Sequence, residues 1–303
     1  MKDRLVGCIV AGAIGDALGG PYEGQDGPVV VDPLRVSGLS DDTQLTLATC
    51  EGIRARDDVE PQDVADRYLT WFRQRRISGV GASTLKALRD LDAGAHWALS
   101  GRSGEYAAGN GAAMRVAPLA FCLDSETVIG RTCIRDICRI THRNDEAYVG
   151  ALAIVRAINL VATGGWEPGS NLPRQAADGL PDSKVCDALH VIAGLAADMS
   201  VVEAAQIVGC SAYVAESVPL AIFASQRVAA LNLRDLLVGT IEAGGDTDTI
   251  ASMVGQIAGA WLGFERVPRD LVERVDKSGE VVRTASELAD RLAAPFQLGD
   301  AVT

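Results

Sequence analysis

Apolar residues recur at helical spacing along most of the chain. Val64, Tyr68, Leu69 and Phe72 lie at positions i, i+4, i+5 and i+8, and residues 154–161 repeat the pattern. This spacing places apolar side chains on one face of a helix, whereas the alternation typical of a half-buried strand is nearly absent. The pattern therefore predicts an all-α protein with about ten or more helices.

The first predicted helix is rich in glycine. Gly7, Gly12, Gly15 and Gly19 lower its helix propensity, but they also remove side-chain bulk, so that neighbouring backbones can approach closely. We therefore expect this helix to run through the centre of the protein.

Residues typical of helix ends support the helical interpretation. Pro61 suits a first-turn position, and Ser200 with Glu203 matches a capping box. Gly263 can end a helix that begins near Thr249.

The loops predicted from Gly, Pro, Asp and Ser do not divide the chain into two apolar cores. They cover residues 20–39, 93–111 and 163–183. We therefore predict a single domain over residues 1–293, followed by a loosely held tail at 294–303.

The charge balance disfavours one class of partner. The 303 residues include 40 acidic and 28 basic side chains, for a formal net charge of -12. Nonspecific affinity for nucleic acid depends on Lys and Arg, so duplex DNA or RNA is an unfavoured partner.

Cysteine usage and the apolar runs both favour a soluble cytoplasmic protein. The seven cysteines are odd in number and form no Cys-x-x-Cys motif, which is typical of reduced core thiols. Asp16 interrupts the first apolar run, and Arg156 and Gln256 interrupt later ones. We therefore expect neither a secretory signal nor a membrane helix of roughly 20 residues.

Two acidic clusters precede long apolar helices. Residues 40–43 read Ser-Asp-Asp-Thr, and residues 244–249 read Gly-Gly-Asp-Thr-Asp-Thr. One such cluster alone is more typical of a helix N-cap, but capping accounts for only one or two acids per helix. Four converging carboxylates would repel one another unless cations neutralised them, and oxygen ligands without His or Cys suit Mg or Mn. Spacing alone leaves capping and metal binding open.

Three glycine-containing segments are weaker signals. Residues 15–23 lead from the first helix into a turn, where Asp16 is expected to bond to backbone. Residues 109–115 read Gly-Asn-Gly-Ala-Ala-Met-Arg, and residues 79–84 read Gly-Val-Gly-Ala-Ser-Thr. Such segments are ordinarily turns, but their N–H groups can also bind phosphate oxygens.

Together, the order and spacing of residues 15–23, 40–43, 109–115 and 244–249 resemble those of the ADP-ribosylglycohydrolase family, from about residue 3 to 265. The resemblance implies a compact, single-domain orthogonal helical bundle with two Mg or Mn ions beneath an ADP-ribose cleft. The implied metal ligands are Ser40, Asp41, Asp42, Asp246, Asp248 and Thr249.

The resemblance also implies catalytic and substrate-binding residues. Glu23 matches a glutamate that serves as an acid or base in the serine-linkage branch, and the implied catalytic set is Glu23, Asp41 and Asp248. The implied substrate contacts are Gly81, Thr84, Gly109, Asn110, Gly111, Met114 and His142.

Several of these residues also have structural interpretations. Met114 and Trp261 are more typical of core residues, His142 of a cap or surface residue, and His96 and His190 of structural residues.

Gly79 departs from an arginine-linkage pattern in which some bacterial relatives carry Asp. This absence disfavours an arginine-linked substrate without excluding it.

The reaction expected from the resemblance is hydrolysis of the glycosidic bond between ADP-ribose and a protein side chain or small acceptor. The pyrophosphate is expected near the N–H groups of Gly81 and Gly111, and the protein is expected to be a monomer. Three alternatives stay open: a catalytically silent ADP-ribose binder or structural protein, a binuclear-metal nucleotide phosphoesterase, and a helical interaction protein whose acids only cap helices.

Overall fold

A computed structural model describes residues 1–56, 58–196 and 198–294. The described residues form fifteen α-helices: α1 (Lys2–Gly19), α2 (Asp41–Gly52), α3 (Pro61–Arg73), α4 (Ala82–Asp92), α5 (Trp97–Ser100), α6 (Val128–Arg139), α7 (Asp145–Thr163), α8 (Leu172–Ala177), α9 (Lys184–Ala193), α10 (Val201–Val208), α11 (Val214–Ser225), α12 (Leu233–Ile241), α13 (Thr247–Leu262), α14 (Arg269–Arg274) and α15 (Ser278–Ala293).

Strand structure is confined to one small pair within the described ranges. β1 (Arg102–Ser103) and β2 (His142–Arg143) run parallel, with Arg102 opposite His142. Short 3₁₀ segments cover Gly20–Tyr22, Glu105–Ala107, Ala113–Arg115, Ala117–Phe121 and Phe264–Arg266. The predicted all-α, single-domain class is confirmed.

Helix α1 forms the centre of the fold, packed most extensively against α13. Every residue of α1 from Leu5 to Gly19 is buried. The two backbones touch at glycines: a Cβ on Gly15 would lie 2.0 Å from the carbonyl oxygen of Ala251, and one on Gly259 would lie 2.1 Å from that of Gly7. The glycines therefore permit an approach that any side chain would block.

Gly15→Ala is expected to destabilise the protein by at least about 3 kcal/mol, because the new methyl group would overlap the backbone of α13 and overpacking alone costs about 1–3 kcal/mol. Gly239→Ala in α12 is the matched control, since its Cβ would meet nothing within 4 Å. That change should stabilise the protein by up to about 1 kcal/mol. Urea unfolding of both variants measures the difference. Equal stability of the two variants would contradict the close packing of α1 against α13.

The predicted helix ends agree with the structure. Pro61 begins α3, Ser200 and Glu203 form both bonds of a capping box at α10, and Gly263 follows the last residue of α13. Two predicted loops were partly wrong, because residues 93–111 include α5 and β1, and residues 163–183 include α8. These elements have six residues or fewer, too few to produce a helical repeat in the sequence.

Among the described residues, two helices are long and apolar enough to cross a membrane by length and composition alone. They cover Lys2–Tyr22 and Asp145–Thr163, so Asp16 and Arg156 do not interrupt them as the sequence analysis expected. However, 89% and 72% of their most apolar windows are buried inside the protein. Burial in the core is one reason for a helix to be this apolar.

Helix α15 ends at Ala293, and Ala294 is the last described residue. The rest of the predicted tail, residues 295–303, lies outside the described residues. The boundary between a domain at 1–293 and a tail at 294–303 therefore stays a prediction.

Candidate active site

The two acidic clusters meet in space. Asp42 lies in the first turn of α2 and Thr249 in the first turn of α13. Although 207 positions separate them, the Thr249 hydroxyl donates a hydrogen bond of 3.2 Å to Asp42 Oδ2. The N-termini of α2 and α13 therefore converge on one carboxylate.

Helix capping accounts for one residue of the clusters and leaves others unexplained. Ser40 Oγ accepts a bond from the N–H of Asp42 and donates one to Asp42 Oδ2, so Ser40 is a genuine N-cap. Asp246 occupies the N-cap position of α13, but its side chain makes no capping bond. Asp42 Oδ1 is buried and has no hydrogen-bond partner among the described residues. Such an orphaned oxygen is costly unless another group satisfies it.

Asp16 connects α1 to the start of α2. Its buried carboxylate accepts bonds from the backbone N–H groups of Ser40 and Thr43, and a bond of 2.5 Å from the Thr43 hydroxyl. Burial raises the pKa of Asp16 to about 6, although these bonds oppose the rise. The expected bond from Asp16 to backbone is present, but it positions the loop that carries Ser40, not the exit of α1.

The loop that carries Glu23 is attached to the second cluster. The N–H of Gly24 donates to the carbonyl of Gly245 at 2.8 Å, and the N–H of Gly245 donates to the carbonyl of Gln25 at 2.8 Å. Gly245 has a φ of +76°, a left-handed conformation that favours glycine. This pairing brings a carboxylate oxygen of the exposed Glu23 within 4.8 Å of oxygens from Asp246 and Asp248.

Burial and neighbouring negative charge together raise the pKa of every acid in the site. Burial, followed by neighbouring carboxylates, raises the pKa of Asp41 to about 8 and that of Asp42 well above its usual range. Burial and Asp246 raise the pKa of Asp248 to about 7, and burial raises that of Asp246. For Glu23, the Asp248 charge is the main cause of a raised pKa.

This donor set fits hard divalent cations. It offers carboxylate and hydroxyl oxygens, one of which is the orphaned Oδ1 of Asp42, and it contains none of the thiols that soft metals prefer. Bound positive charge would also remove the mutual repulsion that raises the carboxylate pKa values.

A cleft of about 270 Å³ opens above the acids. Six of the implied ligand and catalytic residues line it, and Ser40 is hydrogen-bonded to one of them, Asp42. All seven implied substrate contacts line the same cleft, namely Gly81, Thr84, Gly109, Asn110, Gly111, Met114 and His142. Met114 is buried in the core, as expected of a core residue, and its contact with substrate stays a prediction.

Arg102 and Tyr106 line the cleft but were not identified from the sequence. Tyr106 is 82% exposed, and the Arg102 guanidinium lies 6.0 Å from the centre of its ring. An exposed aromatic residue in a three-residue 3₁₀ segment produces no periodic signal, so no sequence pattern indicated Tyr106.

The side chain of Asn110 bonds to an acid of the second cluster. Its Nδ2 donates to Asp246 Oδ2 at 2.6 Å and to the Ser217 hydroxyl at 3.1 Å, and its backbone N–H donates to the carbonyl of Ala212. Asn110 therefore orients Asp246 as well as forming the wall of the cleft.

The cleft offers uncapped N–H groups at α4. Gly81 is the N-cap residue of this helix and provides no side-chain bond to its first turn, where Thr84 lies. The first N–H groups of a helix favour an anion.

His142 is buried in β2, so the expectation of a cap or surface residue was wrong. Burial, followed by the charges of Arg115 and Arg102, lowers its pKa to about 3, so the imidazole is neutral at physiological pH. His96 caps α5 through Nδ1, as a structural histidine does, and His190 lies exposed on α9.

Comparison with known proteins decides the family. The sequence model described as ADP-ribosylglycohydrolase matches residues 1–301. The chain belongs to the ADP-ribosylglycohydrolase family. The match confirms the resemblance and extends it beyond residues 3–265.

Curated relatives of this chain are similar to it along nearly their whole length. ADP-ribosylhydrolase ARH3 of Mus musculus is 28% identical over 97% of this chain and 92% of the relative. ADP-ribosyl-[dinitrogen reductase] glycohydrolase of Rhodospirillum rubrum is 22% identical over 92% of each. Family membership supports ADP-ribosyl hydrolysis as the general activity.

A solved structure shares the fold. It is described as an ADP-ribosylglycohydrolase-related protein complex and superposes with a TM-score of 0.69 at 23% identity, covering 96% of this chain and 98% of that chain. The predicted bundle architecture is therefore confirmed.

Proposed function

We propose that this protein uses two Mg or Mn ions to hydrolyse the glycosidic bond between ADP-ribose and a protein side chain or small acceptor. The observation that carries the proposal is the hydrogen bond between Thr249 and Asp42, because it joins two distant acidic clusters at the base of one cleft. The proposed ligands are Ser40, Asp41, Asp42, Asp246, Asp248 and Thr249.

Glu23 is the proposed acid or base. It lines the cleft, and the Asp248 charge, followed by burial, raises the pKa of its carboxyl, which favours uptake of a proton. Glu23 would move a proton between water and the leaving group, while Asp41 and Asp248 complete the proposed catalytic set. The cations would supply Lewis-acid stabilisation of charge at the ribose.

The rest of the cleft is proposed to hold ADP-ribose. The uncapped first turn of α4, next to Gly81, suits the pyrophosphate because its N–H groups and helix dipole favour negative charge. Near Gly111 fewer N–H groups can bind phosphate than the sequence analysis expected, because the N–H of Asn110 already donates to the carbonyl of Ala212. Backbone N–H groups in the cleft would thus bind an anionic ligand although the protein as a whole carries a net negative charge.

The residue at position 79 bears on the atom to which ADP-ribose is linked. Gly79 has a φ of +78°, and a Cβ there would lie 3.5 Å from Asp41 Oδ1. An aspartate at this position would therefore add another acid beside the cluster, and its absence makes arginine-linked ADP-ribose the less favoured substrate.

The test is a panel of Arg-linked, Ser-linked and small-molecule-linked ADP-ribose, incubated with Mg, Mn or a chelator. We expect free ADP-ribose as the product, formed only with metal. Release of AMP or phosphate would instead identify a phosphoesterase. Binding of ADP-ribose without turnover would identify a silent member, and a protein that neither binds metal nor turns over any substrate would identify a helical interaction protein.

The metal-free protein is expected to lose stability as pH rises from about 5.5 to about 8.5. The folded-state pKa values of Asp16, Asp41 and Asp248, at about 6, 8 and 7, lie above the ordinary value of 3.8. Their stabilising contribution is complete below the unfolded pKa and is lost as pH rises through the folded values. Melting temperatures measured in chelator over this range give the slope.

Addition of Mn should reverse this loss, by about 2.7 kcal/mol per site when Mn is at 100 times its dissociation constant. The gain should be larger at pH 8.5 than at pH 5.5, because ligands must lose their protons to bind metal. A melting temperature that Mn leaves unchanged at pH 8.5 would rule out the proposed metal site.

We also propose a cytoplasmic, monomeric protein that needs no membrane. The odd number of cysteines and the absence of a Cys-x-x-Cys motif from the sequence support a reducing compartment. Size-exclusion chromatography coupled to light scattering tests the oligomeric state.

A further inference from the structure

A fully buried arginine lies behind the cleft. The guanidinium of Arg115 donates from Nε to Tyr68 Oη at 2.8 Å, from Nη1 to the carbonyl of Gly111, and from Nη2 to Thr141 Oγ1 at 2.7 Å. Tyr68 bonds in turn to Thr49 at 2.7 Å. Arginine stays protonated in proteins and has no acceptor, so each contact fixes its partner as an acceptor.

This direction determines how Thr141 bonds to His142. Thr141 is completely buried, and its Oγ1 lies 2.7 Å from His142 Nδ1. Thr141 Oγ1 already accepts a bond from Arg115, and His142 Nδ1 is its one hydrogen-bond acceptor among the described residues, so its proton is satisfied by donation to Nδ1. A buried hydroxyl proton without an acceptor is costly. His142 Nδ1 is therefore the acceptor, and Nε2 carries the proton.

The imidazole has little freedom to turn away from this arrangement. The backbone is held because the N–H of Arg102 donates to the carbonyl of Thr141 at 2.9 Å, and Arg102 pairs with His142 in the small sheet. The other edge of the ring packs against glycines, since a Cβ on Gly111 would lie 2.9 Å from His142 Cε1. Nε2 makes no hydrogen bond to a described residue, and His142 lines the cleft.

We propose that Thr141, held by Arg115, is a positioning residue that locks His142 in the Nε2–H tautomer and so presents one fixed hydrogen-bond donor to an oxygen of the bound ligand. The part that concerns the ligand rests on the proposed function; the tautomer does not. Burial and the nearby arginine charges keep the ring neutral, as the lowered pKa indicates. Arg115 also holds the cleft wall at a second point, because its Nη1 donates a hydrogen bond to the carbonyl of Gly111.

The test of the tautomer uses ¹⁵N-histidine NMR of the full chain without ligand. The chain has only three histidines, so each ring can be assigned by a His→Gln variant. We expect a single Nε2–H tautomer for His142 with a hydrogen-bonded Nδ1. Thr141→Val should remove the hydrogen-bond shift of Nδ1, whereas Thr141→Ser, which keeps the hydroxyl, should retain it. A protonated Nδ1 in the wild type, or an unchanged Nδ1 in Thr141→Val, would overturn the proposal.

The test of the ligand contact uses ADP-ribose as the probe in calorimetry. Thr141→Val should weaken binding about 10-fold, the effect of one lost hydrogen bond, while Thr141→Ser should bind like the wild type. Thr240→Val is the matched control, because among the described residues its buried hydroxyl bonds only to the Leu236 carbonyl in α12. Equal affinity of Thr141→Val and wild type would overturn the ligand part. Failure of the wild type to bind ADP-ribose would instead count against the proposed function and leave the tautomer result standing.

Discussion

Asp248→Asn is expected to lower kcat/KM for ADP-ribose release by at least about 100-fold, because changes that only reorient metal ligands already cost 10- to 100-fold. The same variant should be more stable than the wild type in chelator at pH 8. At that pH the wild-type carboxylate, with a pKa of about 7, is charged and repels its neighbours. In the wild type, Asp248 Oδ1 accepts a hydrogen bond of 2.8 Å from the N–H of Thr249. Asparagine keeps an oxygen that can accept this bond.

The opposite signs of these two effects make the experiment decisive. Asp187→Asn, an exposed acid on α9, is the control for loss of one charge and should change neither property much. Each kcal/mol gained should raise the melting temperature by about 2–4 °C. A variant with less activity and less stability would indicate a structural role for Asp248, and one with full activity would exclude it from the catalytic site.

The sequence predicted the parts of the fold and site whose signals are local. The glycines of α1 predicted a central helix, and Gly15 and Gly7 do meet the backbone of α13. The acids at 40–43 and 244–249 stood out because each cluster precedes an apolar helix, a pattern visible within a few residues. Their order along the chain, together with residues 109–115, then carried the family resemblance.

Contacts between distant segments could not be predicted in this way. Asp16 seemed to be an ordinary helix-exit residue, because its partners Ser40 and Thr43 lie 24 and 27 positions away. The bond between Asn110 and Asp246 spans 136 positions. No local pattern records such pairs, since they depend on how the helices pack.

Burial of polar groups was the second source of error. His142 follows a threonine and precedes a helix, which is typical of an exposed cap, yet it is only 3% exposed. The reason is Arg115, whose buried guanidinium holds Thr141 beneath the cleft. The sequence of residues 109–115 does not indicate that Arg115, its last residue, is buried.

Glu23→Gln is expected to lower kcat by about 100- to 10,000-fold, which is the usual contribution of a general acid or base. Glutamine keeps the shape of the side chain and its reach into the cleft but cannot take up or release the proton. Affinity for ADP-ribose and the stabilisation by Mn should change much less, because the other proposed ligands remain. Steady-state kinetics and Mn-dependent melting separate the two effects.

Asp26→Asn is the matched control for Glu23, because it removes one exposed carboxylate from the same loop. Asp26 pairs with Gly244 through its backbone, which the substitution leaves in place, and its side chain does not line the cleft. We expect its kcat to stay within about twofold of the wild type, since exposed substitutions away from special contacts have small effects. If Glu23→Gln and Asp26→Asn lost activity equally, the charge of the loop would matter and the proton carried by Glu23 would not. Loss of Mn stabilisation in Glu23→Gln would instead identify Glu23 mainly as a metal ligand, a role that its distance of at most 4.8 Å from oxygens of Asp246 and Asp248 also permits.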